Sequence, residues 1–246
     1  MKPSMSKKDT AKIQLNYNII HIWKSMLIKV IVPEPIVSDL NVYLDDLMEK
    51  KGRKSHAHTL VGQINRNSQS QQLLMDHKHP MVENFSEMCL TMAYEYFKKF
   101  SGMHSETFKK KGDRIPQIDE LWSVHSYEGD YNPLHTHGTK SMMGVSLTTW
   151  TKIPPQVESK PKSADLFNAS GNNDGYLNFV FGTGDIRDQE RLVFSNQVTA
   201  KPTVGELYIF PSHTQHSVNP FFGDGERRTV ACNVNMWPKE QLGEKQ

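Results

Sequence analysis

Three histidines and an arginine are the residues here whose types and spacing suit a catalytic centre. His135 and His137 stand two positions apart, and His216 and Arg227 follow much later in the chain. Imidazoles at i and i+2 fall on the same side of a β-strand. A third imidazole on a neighbouring strand makes a set that can hold a metal on one face and leave the other face open. An arginine just beyond the third histidine offers a planar cationic fork to an anionic co-substrate.

Spacing alone is a weak signal. Eleven histidines in 246 residues predict roughly half a His-x-His pair by chance, yet His56/His58, His77/His79 and His135/His137 all occur. Context separates them. His56 and His58 lie in a polar connector after Lys51-Gly-Arg-Lys-Ser, and His77 and His79 directly precede a helix. Both pairs read as exposed loop residues. His135 and His137 instead follow the turn Gly129-Asp-Tyr-Asn-Pro133 and precede an apolar run beginning at Ser141. That pattern places them at a strand edge, at the mouth of a barrel.

The elements that must carry these side chains are legible from periodicity. Short β-rich runs separated by Gly, Pro, Asn and Asp are expected at 119–127, 141–151, 175–182, 190–199, 206–210, 215–220 and 227–236. On the last run Arg227, Thr229, Ala231 and Asn233 share one face, and Arg228, Val230, Cys232 and Val234 share the other. The first face is the more polar and is expected to line a pocket. Upstream, apolar residues at helical spacing predict helices over 36–50 and 80–100. The stretch 19–32 alternates as one strand.

The chain therefore reads as mainly β, with an N-terminal helical or mixed layer (13–117) packed on an all-β core (118–246). These are expected to form one folding unit behind a disordered tail, 1–12. Residues 152–174 form a long polar insertion with the length of a lid or a floppy loop. The composition, 37% hydrophobic and 23% charged, is that of an ordinary globular protein. A net charge of +2 is too small to argue for nucleic acid. No signal peptide or membrane span is expected, and Cys89 and Cys232 suggest no disulfide framework, which favours the cytoplasm.

Four pieces together carry a resemblance to a known family. They are Tyr127-Glu-Gly-Asp-Tyr-Asn-Pro-Leu-His135-Thr-His137, then Ser141-Met-Met-Gly-Val145, then Lys201-Pro-Thr-Val-Gly-Glu-Leu-Tyr-Ile-Phe-Pro-Ser212 with His216, and Gly225-Glu-Arg227-Arg-Thr229-Val-Ala-Cys-Asn233. In order and separation they resemble the Fe(II)- and 2-oxoglutarate-dependent oxygenases, in a branch allied to prolyl hydroxylases. The resemblance covers about half the chain; residues 1–115 add almost nothing. It implies a double-stranded β-helix, the jelly-roll or cupin-like barrel.

The resemblance also implies the ligand set. His135 and His216 would hold Fe(II), Arg227 would bind the distal carboxylate of 2-oxoglutarate, and Thr229 would supply the neighbouring hydroxyl. His137 stands where the family usually has a carboxylate; an all-imidazole set still suits Fe(II), as it suits zinc, copper and nickel. Asp130 is the reserve ligand. The implied reaction consumes O2, converts 2-oxoglutarate to succinate and CO2, and hydroxylates a C–H bond, with a peptidyl prolyl or other protein side chain as the substrate by analogy. Two other readings stay open: a three-histidine zinc hydrolase and a non-catalytic jelly-roll module. The expected partners are 2-oxoglutarate and a second substrate, with neither nucleic acid nor membrane, and oligomerisation is open.

Overall fold

The computed structural model describes residues 16–22, 25–59, 61–64, 71–103, 114–140, 143–158, 173–181 and 197–242. Eleven strands form two antiparallel sheets among them. The larger is built from β1 (Tyr17–Ile22), β2 (Ser25–Ile31), β3 (Gln72–Leu74), β4 (Arg114–Ser126), β6 (Gly144–Lys152), β9 (Glu206–Pro211) and β11 (Arg227–Pro238), in the order β1-β2-β9-β6-β11-β4-β3. The smaller contains β5 (Asn132–His135), β7 (Leu177–Val180), β8 (Gln197–Ala200) and β10 (Gln215–Val218), in the order β5-β10-β7-β8. The fold is mainly β, a jelly roll.

Strand β11 organises the large sheet, because it pairs with β4 on one side and β6 on the other. Its alternate residues serve two compartments. Val230, Cys232, Val234 and Met236 enter the main apolar core with Leu121, Leu147 and Ile209. Helices α1 (Glu34–Glu49) and α2 (Pro80–Met103) close that core from outside. Helix α1 offers Ile36, Val37, Leu40, Tyr43 and Leu44, and α2 offers Phe85, Met88, Cys89, Met92, Ala93 and Tyr96, the i, i+3, i+4 stripes that an amphipathic helix buries. Pro35 in the first turn of α1 loses nothing, since its missing N–H would have had no intrahelical acceptor.

The opposite face of β11 looks into the space between the sheets. One end of that space is filled by Leu27, Trp150, Leu177, Phe179, Tyr208 and Phe210. The other end remains open and polar, and it holds the histidines. Two short helices, α3 (Pro155–Glu158) and α4 (Lys239–Leu242), follow β6 and β11.

The structure differs from the sequence reading in places. The run 19–32 is a hairpin rather than one strand: Ile22 pairs with Ser25, so the chain folds back on itself. Strand β3 is too short to leave a periodic signature, and β5 contains Pro133, which lowers the strand propensity of its segment. The N-terminal part contributes β1, β2 and β3 to the same sheet as β4, β6, β9 and β11. The tail 1–12, the basic run Lys109-Lys110-Lys111 and residues 159–172 of the polar insertion lie outside the described residues. Among the described residues no helix is long and apolar enough to cross a membrane.

Candidate active site

His135 ends β5 and pairs directly across from His216 on β10. His137 lies two residues past β5, held by its backbone N–H, which donates to Ser212 O at 2.8 Å. The i, i+2 spacing thus works through an extended segment that has just left its strand. The turn before it has a clear cause. Asp130 Oδ2 accepts the N–H of Tyr127 at 3.0 Å, and Gly129 takes a φ of 78°, a region costly to any residue with a Cβ.

One nitrogen from each of His135, His137 and His216 lies within 4.8 Å of the others. The hydrogen bonds decide which nitrogen that can be. His135 Nδ1 is 2.7 Å from Pro133 O, and His216 Nδ1 is 2.9 Å from Thr214 O. A carbonyl oxygen only accepts, so both Nδ1 atoms carry the proton and leave Nε2 with a free lone pair. His137 Nδ1 is held at 3.0 Å by Asn233 Oδ1 and at 2.8 Å by Ser146 Oγ; Ser146 Oγ also lies 2.7 Å from Asn233 Oδ1. These partners orient each ring and fix its tautomer, the arrangement typical of imidazole ligands.

Burial sets the charge state. It pushes the imidazole of His137 down to about 4 and that of His216 down to about 3, each further lowered by the neighbouring histidines, and it lowers His135 as well. Neutral imidazole is the ligating form, so little proton competition remains at neutral pH. Phe210 lies edge-on 4.9 Å from His216, and Trp122 lies edge-on 5.6 Å from His137, which limits ring motion.

The three rings open into a cavity of about 400 Å³. Arg227, Thr229, Ala231 and Asn233 line one wall from β11, and Trp122, Val124 and Ser126 line the adjacent wall from β4. Arg227 is the unusual member: 1% exposed, with Nη1 donating to Gly175 O at 3.1 Å and Asn219 O at 2.9 Å. Among the described residues its Nε has no hydrogen-bond partner. Burial lowers its pKa to about 10, and Asp130 acts through space in the opposite direction. A charged guanidinium is thus held in a cavity wall by neutral carbonyls.

Other candidates are placed elsewhere. Asp130 is buried in the turn, taking N–H groups from Tyr127 and Gln71, and it is not among the clustered ligand atoms. His125 is a satisfied interior histidine, 2.6 Å from Glu226 Oε1 and 3.0 Å from Ser123 Oγ. His213 is exposed. Arg228 points away from the cavity to Glu226 and Asp45, as the alternation requires. His56 corrects the sequence reading: it is buried, its ring 5.9 Å from Trp122, because its segment crosses the sheet edge and bridges Ser55 to Leu73. Ser146 and Ser212 were missed, and short serines inside β runs gave no local signal.

Residues 120–233 match the family model described as "Putative 2OG-Fe(II) oxygenase". Over that stretch the chain is similar to the Fe(II)- and 2-oxoglutarate-dependent oxygenases. Fe(II), 2-oxoglutarate and O2 are the cofactor and co-substrates of that class. Among solved structures, the chain is similar to a prolyl-4-hydroxylase of Pseudomonas putida, with 13% identity and a TM-score of 0.50 over 83% of this chain and 88% of that one. It is also similar to AviO1 of Streptomyces viridochromogenes Tue57, with 10% identity and a TM-score of 0.51 over 83% of this chain and 86% of that one. At these identities the likeness speaks for the fold. No curated protein sequence matches the chain.

Proposed function

We propose that this oxygenase hydroxylates a C–H bond, with a peptidyl prolyl or other protein side chain as substrate. His135, His137 and His216 would hold Fe(II) through Nε2, and Arg227 with Thr229 would bind the distal carboxylate of 2-oxoglutarate. The observation that carries the reading is Arg227, a buried cation that among the described residues has no hydrogen-bonded carboxylate partner, in the cavity of the three imidazoles. A buried charge is costly unless paired. A dicarboxylate reaching from the metal to Arg227 would supply the missing partner.

When bound, iron with 2-oxoglutarate and O2 supplies the oxidation, in which 2-oxoglutarate becomes succinate and CO2 as the substrate is hydroxylated. The chain's own residues position and shelter. Arg227 offers a planar fork to one carboxylate, worth more in a desolvated wall than in water. Thr229, on the same face, adds a hydroxyl donor. Asn233 and Ser146 hold the His137 ring, and Trp122 and Phe210 keep apolar surface around the ligands. Residues 13–117 and 118–246 are read as one folding unit, its helices a layer on the sheet. The free, buried Cys89 and Cys232 suit a reducing compartment such as the cytoplasm.

Anaerobic titration of the purified chain with Fe(II) and 2-oxoglutarate tests the reading. A visible metal-to-ligand charge-transfer band is expected, absent in His135→Ala and in Arg227→Ala. No band in the wild type, together with no succinate formed in air, would sink it.

A further inference from the structure

We propose that the substrate of this oxygenase carries a cation on an aliphatic stem, an ammonium or guanidinium group, which docks on Glu120. The inference rests on the oxygenase reading above and names the substrate class of that same cavity.

The cavity is electrically polarised along its length. Arg227 begins the β11 wall, and Asn233 lies six residues further, roughly 20 Å along an extended strand. Glu120 on β4 pairs directly with Asn233, so it sits at the end remote from Arg227. The two charges are at opposite ends of this wall, and the three histidines line the same cavity, with His137 bonded to Asn233 at the Glu120 end.

Glu120 is also the lining carboxylate with spare acceptor capacity. Its neighbour Asp119 is engaged by Lys140. Among the described residues the ion-pair contact of Glu120 is His56 Nε2 at 3.6 Å, beyond hydrogen-bond length, and that nitrogen already meets Thr59 Oγ1 at 3.0 Å; Lys140 acts on Glu120 through space. Its side chain is 34% exposed, open to a ligand yet inside the cavity wall. Once Arg227 is taken by 2-oxoglutarate, Asp119, Glu120 and Lys140 leave the mouth with one net negative charge.

The surroundings select the shape of the group. Trp122 is two residues along the same face of β4, and Val124 follows it. An indole beside a carboxylate suits an aliphatic stem ending in a cation, since the stem lies on the ring while the head reaches the charge. A neutral or anionic group would strip water from Glu120 and return nothing. The cation would either belong to the residue being hydroxylated or flank it.

The test uses the full chain loaded with Zn(II), a diamagnetic substitute, and 2-oxoglutarate. Pentylamine, 1-pentanol and pentanoate serve as probes, with binding read by saturation-transfer difference NMR. Pentylamine is expected to bind about ten-fold more tightly than either other probe. The near-isosteric Glu120→Gln should abolish that preference, and Glu120→Lys should turn it toward pentanoate. Equal binding of the three probes, no amine binding in the millimolar range, or an amine preference that survives Glu120→Gln would overturn the proposal. If Glu120→Lys does not fold, Glu120→Gln alone decides. The charge-transfer band of the wild type is read separately, so failure of the oxygenase reading is distinguishable from failure of this one.

Discussion

Arg227 and Arg228 are adjacent on β11, and both are buried, yet they are solvated in opposite ways. Arg228 faces the helices. Its Nε meets Glu226 Oε1 at 2.9 Å, and its Nη2 meets Asp45 Oδ1 at 2.6 Å. Burial alone would lower its pKa, but these bonds raise it. Glu226, in turn, is held well below the usual carboxylate range against its own burial, by His125, Arg228 and Lys152. Arg227 faces the cavity, and among the described residues its hydrogen bonds go to two backbone carbonyls while its guanidinium lies over the Phe221 ring. A buried cation with matched anions is architecture, tying α1 to the sheet. A buried cation without one among the described residues is what the proposed 2-oxoglutarate site would pair.

That contrast breaks most visibly in stability. Arg228→Met would strand Glu226 with fewer donors inside the protein. Removing one partner of a buried pair costs about 3–5 kcal/mol, so the melting temperature of the metal-free chain should fall sharply. Arg227→Met removes a charge that lacks a carboxylate, so the same melt should stay level or rise. A comparable loss in both variants would mean that Arg227 is structural as well.

Co-substrate affinity should show the inverse. Losing a charge-assisted pair in a desolvated site costs roughly 2–5 kcal/mol, so Arg227→Met should weaken 2-oxoglutarate binding by about a hundred-fold or more. Arg228→Met, measured on its folded fraction by calorimetry, should bind nearly as the wild type does. The third comparison moves down the same wall to Asn233, which touches the His137 ring and would meet neither metal nor co-substrate itself. Asn233→Ala should weaken metal binding about ten- to hundred-fold, read by competition with a chromogenic chelator, while the melt of the metal-free protein changes little. Unchanged metal affinity would show that Ser146 alone holds the ring.

The alternation that separates the two arginines was legible because both faces of β11 are buried. A one-residue slip would put Val230 and Cys232 into the cavity and Arg227 into the apolar core, so the register is strongly specified. Helices α1 and α2 were legible for a related reason, since each buries a single stripe. Long-range pairings were not. His137 is held by residues 9 and 96 positions away, and nothing near Ser146 or Asn233 in sequence marks them as partners. His56 misled because its polar neighbours describe a connector, while its burial comes from the distant Trp122. That the three imidazoles converge is a property of the fold; that they hold iron is the proposal the variants test.

The smallest expected effect concerns Thr229, which shares the cavity face with Arg227. The β11–β6 pairing shifts register between Arg228 and Thr229, while the β11–β4 pairing runs straight through. A bulge of this kind re-aims a side chain without moving the strand's other edge. Thr229→Val keeps the branched shape and deletes only the hydroxyl. One neutral hydrogen bond is worth about 0.5–1.5 kcal/mol, so 2-oxoglutarate affinity should fall about three- to ten-fold with metal affinity intact. In the Arg227→Met background the same change should cost almost nothing, because both groups would grip one carboxylate. Additive losses in that double-mutant cycle would place Thr229 on a different part of the ligand and loosen the pairing of the two residues on this wall.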